Sequence, residues 1–206
     1  MLKLRLLLRP FLLIVLMGSG SVLRADAISL GLGTVASDFT PDTHRYVRTY
    51  QDQFFAGKKL QGFQVDGLYA HHFSPEPTLR RAWLFGLGYN DAALSNSYSG
   101  GNLKLTRQTF FMEVGFRMEK TDLVPNMRFA GSVLLVRGIT GHVKIAAPTG
   151  SETYSEEFDT SPLASTLCEG RAEYLLAPEV NGFFALRFPN FKDPSALLGV
   201  SYDLEK

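Results

Sequence analysis

Cysteine is nearly absent. Cys168 stands alone among 206 residues, so no intramolecular disulfide staples the chain, and this one side chain reads as a small packed residue. Neither sign of charge dominates: 21 Lys plus Arg face 20 Asp plus Glu, which leaves nucleic acid no electrostatic footprint. Long apolar runs are confined to the first residues. After residue 27 nothing approaches the roughly 20 apolar residues that a membrane-spanning helix needs, and no segment keeps an amphipathic helical period for a useful length. The 206 residues suffice for one substantial domain and are too few for two comfortable ones.

What is present begins with a targeting pattern. Lys3, Arg5 and Arg9 form a basic start, Phe11 to Met17 is continuously apolar, and Ala25-Asp26-Ala27 offers the small-x-small pattern of a cleavage site. Gly18, Ser19 and Gly20 break the apolar core before it could span a bilayer. The expectation is a signal peptide over 1–27, cut after Ala27, and a single domain over 28–206. Without the leader, 17 basic residues face 19 acidic ones.

The remainder is rich in glycine (19) and in phenylalanine and tyrosine (16 and 8), a mixture suited to many turns and aromatic strands. Its dominant period is two. Over Thr106 to Met118, residues Phe110, Met112, Val114, Phe116 and Met118 share one face, with Arg107, Thr109, Glu113, Gly115 and Arg117 on the other. Trp83, Phe85, Leu87 and Tyr89 alternate likewise, as do Phe63, Val65, Gly67 and Tyr69, then Phe184, Leu186 and Phe188, and finally Leu198, Val200, Tyr202 and Leu204. With Ile28 to Ala36, Met127 to Val136 and Glu169 to Ala177, eight strands are expected. Thr140 to Ala147 either extends the fifth or forms a strand of its own.

The expected connections are Ser37 to Gln61, Ser74 to Leu79, Asp91 to Lys104, Thr121 to Asn126, Arg137 to Cys168, Pro178 to Asn181 and Pro189 to Ser195. Long and short alternate almost throughout. That rhythm suits an all-β, closed antiparallel transmembrane β-barrel in the outer membrane of a Gram-negative cell, with short periplasmic turns, longer external loops and both chain ends on the turn side. Ser95 to Asn102 and Gly150 to Asp159 are expected to be solvated surface loops.

The leader, the loop rhythm, the strand Leu105 to Glu119 and the closing Leu198-Gly199-Val200-Ser201-Tyr202-Asp203-Leu204 together resemble the small outer-membrane barrels typified by the OmpA transmembrane domain and OmpX. The resemblance covers the whole chain after the leader as architecture. It implies a monomeric porin-like barrel in contact with outer-membrane lipid, without cofactor or metal, whose loops are available to an external ligand or protein.

Asp66, Arg107, Glu113, Arg117, Arg128, Arg171, Glu173 and Arg187 all take the inward parity. Unpaired charges cost several kcal/mol each in a dry core, whereas the polar interior of a small barrel can pair them. An ion-pair network that plugs the lumen is therefore expected.

No catalytic residue is assigned. His71-His72-Phe73-Ser74 resembles the His-x-Ser portion of outer-membrane lipid A deacylases only at His72 and Ser74, and lacks the Asn-Ala continuation. His44 and His142, with Asp42, Glu152, Glu156 and Glu157, match no nucleophile or zinc spacing. Gly31-Leu32-Gly33 is followed by no helix and is no nucleotide fingerprint. The expected function is thus a non-enzymatic barrel serving envelope integrity or surface interaction. Two alternatives remain: a barrel enzyme that modifies outer-membrane lipid, and a soluble periplasmic lipocalin-like ligand binder. The second requires Phe110, Met112, Val114 and Phe116 to point inward.

Overall fold

Alternating patterning, with turn residues between the runs, commits the chain to strands: β1 (Ala27–Asp38), β2 (Lys59–His72), β3 (Leu79–Tyr98), β4 (Gly101–Val124), β5 (Met127–Thr149), β6 (Glu152–Thr160), β7 (Ser165–Ala177), β8 (Val180–Pro189) and β9 (Ser195–Asp203). The computed structural model describes residues 26–38, 59–73, 76, 78–98, 101–149, 152–160, 164–191 and 194–204. Residues 1–25, which hold most of the expected leader, the segment holding Asp42 and His44, and Ser74 lie outside these residues.

All pairings are antiparallel, in the order β4-β3-β2-β1-β9-β8-β7-β5, and β5 returns to β4 to close the ring. Eight strands therefore encircle the lumen. The ninth, β6, continues the same edge of β5 that β7 occupies: β7 pairs with Met127 to Val136, and β6 with Gly141 to Thr149. Closure satisfies the backbone groups that an open edge would leave unmet in lipid.

One rim carries both described chain ends and the short connections His72–Leu79, Val124–Met127 and Ala177–Val180. In two of these a proline fixes φ and the next residue turns the chain with a left-handed backbone, Pro125-Asn126 (φ 61°) and Pro178-Glu179 (φ 67°).

The far rim differs from the expected solvated loops. β3 and β4 continue through most of Asp91 to Lys104, and β5, β6 and the start of β7 take up most of Arg137 to Cys168. Most of Ser95 to Asn102 and of Gly150 to Asp159 is strand for the same reason. An apolar inner layer supports the extension, where Leu60, Ala92, Leu94, Leu103, Leu105, Val143 and Ile145 pack together. A transmembrane strand needs only about 9–11 residues; β4 has 24 and β5 has 23, whereas β8 has 10 and β9 has 9. The far rim is thus a wall over β3 to β6 and stops short over β8 and β9. On this wall, the hydrogen bond from Lys144 to Glu157 (2.8 Å) and the adjacent His142 hold the Glu157 carboxyl below the usual range.

Candidate functional site: a charged lumen inside an apolar wall

The two faces of β4 set the polarity of the barrel. Phe110, Met112, Val114 and Met118 are exposed on the outside, while Arg107, Thr109, Phe111, Glu113, Arg117 and Glu119 are buried on the inside. The outward row continues around the ring through Leu30, Leu32, Val65, Phe85, Val133, Leu135, Leu186, Leu198 and Val200. Phe110 to Met118 covers about 26 Å along the strand, or about 20 Å along the normal at a tilt of roughly 40°, close to the apolar band of outer-membrane barrels. Aromatic rings cluster at both ends of this row. Trp83 packs against Phe116 (5.7 Å) and Phe73 (6.0 Å) towards the short-turn rim, and Tyr89 against Phe110 (4.8 Å) and Phe63 (6.2 Å) towards the far one. Tyr69 shares the outward parity but is buried, with its hydroxyl donating to Asp26.

This polarity overturns the lipocalin-like alternative. A soluble carrier would hide its apolar row and expose its charges, and β4 does the reverse.

Inside, the charges meet at Arg187. Its guanidinium reaches Asp66 on β2 (2.5 Å), Glu113 on β4 (3.2 Å) and Glu169 on β7 (2.8 Å), so one side chain on β8 ties together strands from opposite sides of the ring. Arg117 takes the other oxygen of Glu169 at 3.1 Å and donates to Ser132 on β5 at 3.1 Å. The planar fork of arginine suits such shared contacts, which a single ammonium cannot make.

A second cluster lies nearer the short turns. Arg171 pairs with Glu173 (2.5 Å), donates to Ser29 on β1 (3.3 Å) and stacks over the Phe183 ring (3.5 Å). Arg128 forms a two-pronged pair with Asp203 on β9, at 2.6 and 3.1 Å. His72 faces the lumen, with Nε2 at 3.9 Å from Glu119. It does not face lipid, where a deacylase-like histidine would have to act.

Of the eight residues singled out in the sequence, the structure gathers Asp66, Glu113, Arg117 and Arg187 in the central cluster and Arg128, Arg171 and Glu173 in the lower one. Arg107 lines a cavity beyond them towards the far rim. Sequence reasoning missed Glu169, Glu119 and Asp203. Parity could have found all three: Glu169 precedes Arg171 by two, Glu119 follows Arg117 by two, and Asp203 lies opposite the face of Tyr202 and Leu204.

No protein-family model matches the sequence, and no curated protein matches it. Among solved structures, the chain is similar to Ail, the attachment invasion locus protein of Yersinia pestis (12% identity over 89% of this chain and 100% of that one, TM-score 0.45). It is also similar to Neisserial surface protein A (12%, 88% and 97%, 0.41) and to the N-terminal β-barrel domain of Pseudomonas aeruginosa OprF (10%, 88% and 98%, 0.33). A closed antiparallel ring with lipid-compatible side chains outside and paired charges within is the outer-membrane solution to spanning a bilayer. The chain is a closed antiparallel β-barrel of eight ring strands with the outward apolar row of a transmembrane barrel.

Proposed function

We propose that the protein is a non-enzymatic, monomeric outer-membrane barrel whose lumen is plugged by its own ion pairs and whose β3–β6 wall stands outside the cell for surface contact. The short-turn rim then faces the periplasm. The observation that carries this reading is Arg187, which is 2% exposed and fastened to carboxylates on β2, β4 and β7. An eight-stranded ring leaves room for little beyond side chains, so such a bridge occupies the bore. The test is conductance: the folded protein in planar bilayers is expected to give no current steps above the lipid baseline. Steady porin-sized steps from the native chain would overturn the plug.

We further propose that residues up to Ala25 form the removable leader and that the exported chain keeps Asp26. Its carboxylate accepts from the Tyr69 hydroxyl and meets His71 at 3.0 Å, and its carbonyl accepts from the Leu204 amide at 2.6 Å. These contacts join the first strand to β2 and to the last strand, and a cut after Ala27 would remove them. Intact mass of the protein recovered from the outer membrane is expected to include Asp26; a chain starting at Ile28 would refute this.

A further inference from the structure

We propose that the far mouth of the lumen binds a small organic compound carrying a single ammonium group. A cavity of about 140 Å³ opens there, with Arg187 and Glu113 on the side of the central cluster and Pro189 and Ser195, where β8 ends and β9 begins, towards the mouth. Its size suits a ligand of a few heavy atoms and excludes an oligosaccharide or a peptide.

The chemistry of the floor selects the charge. Glu113 is 1% exposed; its Oε1 is engaged by Arg187 at 3.2 Å, while Oε2 has no hydrogen-bond partner among the described residues. A buried carboxylate oxygen left unmet is costly, and a donor that supplies the missing bond gains accordingly. Both oxygens of Glu169 are engaged, one by Arg117 and the other by Arg187, and Asp66 is held by Arg187, which leaves the second Glu113 oxygen as the acceptor that this cluster offers to a ligand.

The walls select the rest of the ligand. Thr109 and Asn90 line the cavity further towards the mouth and offer oxygen acceptors there, and Phe111 and Leu167 supply apolar surface for a short alkyl body. Arg107 also lines the cavity and disfavours a second positive charge.

The experiment uses the mature chain folded in non-ionic detergent, with n-butylammonium, butan-1-ol and 1,4-butanediammonium as probes and the Leu167 methyl resonances as the readout. Butylammonium is expected to give a saturable shift. Butanediammonium should bind roughly tenfold more weakly, and butan-1-ol should give no saturable shift over the same range. Glu113→Gln should abolish the butylammonium response. Because that change could loosen the ion cluster, Ala92→Leu provides a second test: Ala92 lines the cavity and is buried, so the added bulk fills the space with every charge retained. It too should lose the response while keeping the heat-dependent gel shift of a folded barrel. The proposal is overturned if the native protein shows no saturable shift, as for a cavity that holds water only. Equal responses to butylammonium and butan-1-ol would overturn it too, as would binding that survives Glu113→Gln or Ala92→Leu.

Discussion

Replacing Arg187 by methionine is expected to lower the unfolding free energy of the barrel by about 3–5 kcal/mol, the cost of leaving buried charges uncompensated. Asp66, Glu113 and Glu169 would face one another across the lumen, with Arg117 still on Glu169 and the Gln64 amide still donating to Asp66 at 3.3 Å. Methionine preserves much of the side-chain length, so the loss reports charge and hydrogen bonding more than volume. Arg187→Lys should fall between the two, because an ammonium keeps the charge without the fork that serves three carboxylates. Neutralising the acids in the methionine background, with Asp66→Asn and Glu113→Gln together, should restore at least half of the loss, since the deficit arises from unpaired charge. The only tryptophan, Trp83, lies on the outer face and provides a fluorescence signal for urea unfolding from lipid vesicles. A methionine variant within about 0.5 kcal/mol of the native protein would mean that water in the lumen screens the cluster, and the plug would lose its basis.

The period-two rows made the fold legible. Phe110 to Met118 and Leu198 to Leu204 set the apolar outer face, and Arg117, Arg171 and Arg187 take the opposite parity, on which they are buried. Partner choice was not legible, because parity gives the face of the sheet and not the height or the strand across the ring. Glu169 shows this limit: on the right face two residues before Arg171, it becomes a hub only because β7, β8 and β4 meet at one level around the lumen. The far rim was misread for a different reason. Serine, asparagine and glycine around Ser95 to Asn102 and Gly150 to Ser151 carry turn chemistry, which outweighed the short alternations Leu103-x-Leu105 and Val143-x-Ile145. Those few residues close an apolar layer only when four strands contribute to it, a property of the assembled sheet that no single segment displays.

A charge placed on the outward row should reveal the bilayer directly. Val114→Arg stands at the middle of the row from Phe110 to Met118 and is expected to cost about 2–4 kcal/mol, whereas Thr106→Arg, further along the same face towards the far rim, should cost about 0–1 kcal/mol. The gradient is the informative quantity. In a soluble barrel both sites would be wet, and arginine would cost little at either; in a dry core both would be severe. A profile that peaks at Val114 and falls on either side, towards Thr106 and towards the half-buried Lys120, requires a slab of hydrocarbon around the barrel with water beyond each edge. Equal costs at Val114 and Thr106 would remove the slab and with it the reason for the charges to be inside, because the polar lumen and the apolar wall are two consequences of one solvent arrangement. Urea titrations in vesicles, with Trp83 as the probe, read both variants on the same scale as the Arg187 series. Wall and lumen can then be compared as contributions to a single stability.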